Sequence, residues 1–172
     1  KILSTGKDLE KAVNIEEVLI NYPIPTPAEG SLMMNRPLYH NLMKTEEYFQ
    51  SYRKYFDRFV SQYFESGRFQ SLLARTREMI APYVEKDPTA FCSYEDHRLA
   101  ADTLEQVCML RAESVRKQLD GEIPATIRGQ QEAPQARLDA SHIRLEDLGD
   151  FQNLENAKVR QEQTVERIGK TS

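Results

Sequence analysis

The sequence has no run of eighteen apolar residues, no dominant charge and little of the side-chain chemistry that breaks bonds. The first absence excludes a membrane-spanning helix. Lys and Arg number 23 against 27 Asp and Glu, for a net charge of −4, and the two signs are interleaved. Without a basic stripe, nucleic acid is not an expected partner. His40, His97 and His142 form no His-x-x-x-His or Glu-x-x-His pair, so zinc and di-iron centres have no support. Two cysteines, Cys92 and Cys108, are too few to define a redox compartment, and Cys108 is expected to be a packed free thiol. There is no Gly-x-Ser-x-Gly elbow and no glycine-rich phosphate loop of either common spacing. No signal peptide is visible, and the chain opens on Lys1 rather than Met, as a processed or partial product would.

What the sequence does have is unevenly placed. Of 8 tyrosines and 7 phenylalanines, all but Phe151 lie between Tyr22 and Tyr94. Tyr48, Tyr52, Tyr55, Phe56, Phe59, Tyr63 and Phe64 recur at spacings of three and four, which places them on one side of a helix. That helix is expected from Thr45, as its cap, to about Glu65, with Gly67 as its stop. A short helix over Pro37–Met43 precedes it, opened by a proline whose missing N–H is harmless there. The next helix, Arg68–Glu85, should kink or divide at Pro82. Ser93 and Asp96 then form a capping box for a helix ending at Gly121, with Leu104, Cys108, Val115 and Leu119 as its stripe. Phe56 and Leu104 hold central places in their stripes and are expected in the core. Arg111 interrupts the last stripe and is expected to snorkel or to pair with a buried carboxylate.

Upstream, Lys7–Asn14 could form a short helix, and Glu17–Ile24 reads as extended because Val18, Leu19 and Ile20 are β-formers. Pro23, Pro25 and Pro27 then enforce an irregular loop through Gly30. Beyond Gly121 the periodicity dissolves. Isolated apolar residues (Ile143, Leu145, Leu148, Phe151) could dock as a strap, and 153–168 could be a thin-sided helix. Asp139, Glu146, Asp147 and Asp150 form a loose acidic cluster without the ligand spacing of a calcium loop. Glu46, Glu47, Glu113 and Asp120 read as solvated or as i,i+4 partners of basic residues.

One family fits this order of residues. Ile20-Asn21-Tyr22-Pro23-Ile24, then Arg36-Pro37-Leu38, then Glu47-Tyr48 with Tyr52 and Tyr55, resembles the C-terminal part of the CotH (spore coat protein H) kinase family. The resemblance continues through Ile80-Ala81-Pro82-Tyr83-Val84-Glu85-Lys86-Asp87 and ends at Arg111 and Gln118-Leu119, covering about residues 14–121. It implies an atypical protein kinase that transfers phosphate from ATP, with Mg²⁺, to serines of coat or surface proteins. The family's ATP-binding lysine, catalytic aspartate and metal-binding Asp/Asn motif lie upstream of the matched pattern. No catalytic, cofactor-binding or metal residue is therefore assigned in this chain.

The expected architecture is mainly α: a helical core over 1–121 with a short extended N-terminal segment, and a weakly structured tail over 122–172. It would form the C-terminal part of a kinase-like fold. Its expected role is structural support of an upstream catalytic lobe and contact with a protein substrate through the Tyr22–Arg36 loop, without activity on its own. Self-association is expected of a lobe that lacks its other half. Spore coat or cell surface is the location implied by the resemblance. The rival reading is a free-standing helical interaction module, for which Tyr48, Tyr52, Phe59 and Tyr63 would have to be accessible. A small-ligand enzyme with a site between helices is disfavoured, because titratable residues do not converge.

Overall fold

A computed structural model describes residues 15–25, 37–90 and 92–149, and among them it contains helices and no strand. The chain is thus mainly α. The helices are α1 (Ile15–Ile20), α2 (Pro37–Lys44), α3 (Glu46–Phe59), α4 (Arg68–Val84), α5 (Tyr94–Asp120) and α6 (Ile127–Glu132). A π-helical segment, Val60–Glu65, continues α3, and 3-10 turns cover Pro134–Ala136 and Leu145–Leu148. The expected helices at 7–14 and 153–168, and most of the proline-rich loop, lie outside the described residues.

The first correction is at the N-terminal side. Of the segment Glu17–Ile24, expected to be extended, the first half belongs to the helix Ile15–Ile20 and the rest is a turn and irregular chain. Glu16 and Glu17 in its first turn favour the positive helix end, and the Asn21 N–H and side-chain amide both donate to the Glu17 carbonyl. Val18 and Leu19 remain exposed, so no neighbouring strand rewards their β-preference.

Thr45 precedes α3 but does not cap it through its side chain; its hydroxyl donates back to the Asn41 carbonyl at 3.3 Å. Beyond Phe59 the helix widens. Ser66 N–H reaches the Ser61 carbonyl five residues back, at 3.1 Å, and Gly67 closes the run at φ 75°, a conformation that suits glycine. The widened turn gathers Phe59, Tyr63, Phe64 and Phe69 into one ring cluster, with centroids 5.1–5.9 Å apart. α4 then runs unbroken through Pro82, against the expected division: the proline lies in its last turn, so little helix remains to be lost. At α5 the capping box is present in both directions, between Ser93 and Asp96, and Gly121 ends the helix at φ 84°.

The core is not the aromatic stripe. One buried cluster is Ile20, Ala140 and Ile143, with Val107, Leu110, Leu138 and Leu145 against it. The other is Ile24, Val60 and Val115, with Phe56, Leu119 and Ala125. Tyr48, Tyr55, Phe59 and Leu104 are exposed, contrary to the stripe reading, and no residue of α4 is buried. Residues 122–149, expected as part of a weak tail, supply Ile123, Ala140 and Ile143 to the interior. The docked strap is the arrangement found, at least through Leu148.

Candidate functional site

The most heavily built place in the molecule is a polar joint around Asn21, where α1, α5 and the 122–149 segment meet. Asn21, Ser114 and Gln118 are almost fully buried, and Gln130 nearly so. A buried amide is costly unless its donors and acceptors are met. Here they are. The Asn21 amide donates to the Leu138 carbonyl and accepts from the Leu138 N–H, both at 2.9 Å, as a neighbouring strand would. Its backbone carbonyl accepts from Gln130 Nε2 at 2.8 Å and from Gln118 Nε2 at 3.4 Å. Gln118 Oε1 accepts the Ile24 N–H at 3.0 Å, while its amide also donates to Ser114 Oγ and to the Tyr22 carbonyl.

Charged groups close the rim. Arg111 donates to the Ile20 carbonyl at 2.8 Å. Its acceptor is a backbone carbonyl; of the two expectations, snorkelling or a buried carboxylate, the carboxylate is not the partner found. Burial lowers its pKa to about 10, which still leaves a cation at neutral pH. Tyr52 donates to the Ile24 carbonyl at 2.9 Å; burial pushes its phenol up, and the Arg111 charge pulls the other way. Arg53 donates to the Leu119 carbonyl at 2.6 Å, and Arg137 pairs with Glu17 at 3.1 Å. Every one of these bonds runs between segments far apart in sequence. Asn21, Tyr22, Ile24, Tyr52, Arg111 and Gln118 are all residues that carried the family resemblance, so the motif residues build a joint.

A second organised place is Arg116. It holds Asp57 at 2.6 Å, Glu65 at 2.7 Å and Asp120 at 3.7 Å, so α3, the π-helical segment and α5 share one cation. Those carboxylates keep the guanidinium firmly protonated. A cleft of about 400 Å³ opens beside it, walled by Phe64, Met109, Leu110 and His142. A shallower groove of about 340 Å³ lies on the π-helical segment, between Tyr55, Arg58, Phe59, Gln62, Tyr63 and Arg68.

The remaining candidate residues stay apart. His142 is exposed, and His97 lies 6.5 Å from the Tyr94 ring. Of the acidic cluster, Asp139 accepts the Ser141 N–H at 2.8 Å, which holds its carboxyl low, and Glu146 and Asp147 turn to Arg144; Asp150 lies outside the described residues. Glu113 pairs with Lys117 at 2.9 Å, and Glu46 accepts from Gln50 at 2.6 Å. Burial pushes the Cys108 thiol up, the opposite of an activated nucleophile. Among the described residues no three His, Cys, Asp or Glu side chains converge to hold a metal ion, and no helix is long and apolar enough to cross a membrane. The sequence singles out Gln118 only through the family resemblance and Gln130 not at all, because a polar residue interrupting an apolar stripe reads as surface. The signal that could have found them is their sharing of a buried helix side with Val115 or a short capped turn after Thr126.

The family model described as CotH kinase protein matches residues 11–120, which span α1 to the end of α5. No curated protein and no solved structure gives a significant match. With the match covering well over half of its length, the chain belongs to the CotH kinase protein family.

Proposed function

We propose that this chain is the helical C-terminal part of a CotH-like protein kinase and that it supports a catalytic lobe rather than transferring phosphate alone. The observation that carries this reading is the pairing of a rigid interior joint with large apolar side chains left outside. Leu38 of α2 and Met79 and Tyr83 of α4 are 76%, 65% and 75% exposed. Apolar side chains held out on a braced scaffold mark a surface that another folded part covers. ATP and Mg²⁺ would be bound by the upstream lobe. The donor set here does not fit them: among the described residues no three His, Cys, Asp or Glu side chains are grouped to hold a metal ion, and Asp57 and Glu65 are engaged by Arg116. No step of phosphate transfer is therefore derived from these side chains. The acceptor would be a serine of a coat or surface protein, in keeping with the family.

A free-standing interaction module is the second reading. It gains from Tyr48 and Phe59, each 50% exposed, whereas Tyr52 and Tyr63 are partly buried.

The test is phosphate transfer from labelled ATP, with Mg²⁺ and a serine-rich acceptor. The chain alone should transfer none. Joined to the upstream lobe of a CotH-family kinase it should transfer, and Met79→Ser with Tyr83→Ser should weaken that transfer without moving the melting midpoint of the chain alone. Metal-dependent transfer by the isolated chain would overturn the reading.

A further inference from the structure

The groove on the π-helical segment combines two features that the joint does not use. Its walls are aromatic: Phe59 and Tyr63 stack at 5.5 Å with planes 14° apart, and Tyr55 stands 69% exposed beside them. Two arginines, Arg58 and Arg68, line it as well. Arg58 donates only to the neutral Gln62 Oε1, at 3.2 Å, and among the described residues neither Arg58 nor Arg68 makes an ion pair. The carboxylates nearest them in sequence, Asp57 and Glu65, are both paired with Arg116. In a chain of net charge −4 that arrangement leaves a local positive, aromatic-walled groove. A run of π-helix is itself uncommon and occurs often at functional places.

We propose that this groove binds an anionic peptide segment, with one acidic group between Arg58 and Arg68 and an adjacent aromatic or leucine side chain against Tyr55 and Phe59. The acidic group can be a glutamate or a phosphoserine; the shared chemistry is a planar or tetrahedral oxyanion met by a guanidinium fork. A second copy of the chain is disfavoured as the occupant. A two-fold contact through this face would set arginines against arginines. The volume suits one or two side chains rather than a folded domain. That the peptide belongs to a kinase acceptor rests on the proposed function; the groove chemistry does not.

The experiment is fluorescence anisotropy with three labelled peptides, identical except for serine, glutamate or phosphoserine beside one phenylalanine. No ATP is present, so the outcome is independent of any transfer activity. Both anionic peptides, or phosphoserine alone, should bind roughly tenfold tighter than the serine peptide, as one added charge-assisted contact gives. Raising salt should erode the preference, since the site is exposed and screened. Arg58→Gln with Arg68→Gln should abolish it while a thermal melt stays unchanged. Equal binding of all three peptides, or a salt-independent preference, would overturn the proposal. So would an unstructured DNA oligomer of equal charge competing as well as the phosphopeptide, because the groove would then be a general polyanion surface.

Discussion

Asn21 shows what one side chain contributes here. It bonds to Glu17 and Leu138 through its amide and to Gln118 and Gln130 through its carbonyl, so one residue fixes the exit of α1, the second half of α5 and the strap together. Asn21→Ala leaves the part-buried Leu138 N–H without its acceptor. A loss of about 2–4 kcal/mol is expected from the stranded donor and the broken network, read from denaturant melts. Apolar positions sort differently from their sequence pattern. Ile123→Ala, at 1% exposure, should cost about 2–5 kcal/mol, whereas Leu104→Ala, at 43% exposure, should cost below about 1 kcal/mol. Equal losses at the two positions would mean that α5 faces the interior along a different side. Periodicity identified Leu104 because it lies in line with Cys108 and Val115; it could not show that the adjacent Thr103 is the residue of that turn that is buried.

At the scale of elements, local chemistry was legible where it sits within a few residues. The Ser93–Asp96 box, Pro37 at the start of α2 and Gly121 at the end of α5 all stand where the sequence puts them. The box gives a pH-dependent prediction. Ser93 N–H and hydroxyl bonds hold the Asp96 carboxyl below its ordinary value of 3.8. A carboxylate with a depressed pKa adds stability above that ordinary value, and this is lost as the pH falls through the folded one. Protection of the Tyr94–His97 amides, taken relative to the exchange of the free peptide at the same pH, should therefore fall below about pH 4. Asp96→Asn should exchange faster at neutral pH and lose that response. An unchanged acid response in the variant would place its cause elsewhere. The elements that were misread are those fixed by distant partners. The sequence reads as extended at α1 because the partners that anchor Asn21 at its exit lie over a hundred residues away: the Leu138 carbonyl accepts from its amide, and the Gln130 amide donates to its carbonyl. The π-helical widening is set by how Phe59, Tyr63, Phe64 and Phe69 meet, which no i,i+4 pattern announces.

At the scale of the whole molecule, the family residues and the fold turn out to be the same subject. Part of the resemblance was carried by residues that build the joint, among them Asn21, Tyr52, Arg111 and Gln118, so membership was legible while that structural reason was not. The stretch after Gly121 has few apolar residues, and composition alone argues for a loose extension. Yet a few well-placed side chains suffice: Ile123, Ala140 and Ile143 fill gaps that α1 and α5 leave, and Gln130 and Leu138 complete the hydrogen bonds of Asn21. An interior so built around polar groups makes the strap a partner of the scaffold, because removing it strands buried amides as well as exposing apolar surface. That is the claim on which the reading of this chain as a braced support depends. It is tested most directly by thermal melts of two truncated chains, one ending at Gly149 and one at Gly121. The longer should melt cooperatively close to the full chain; the shorter should fall by more than about 10 °C or lose its cooperative transition. Equal midpoints for the two would contradict the claim and return residues 122–149 to the status of a peripheral extension.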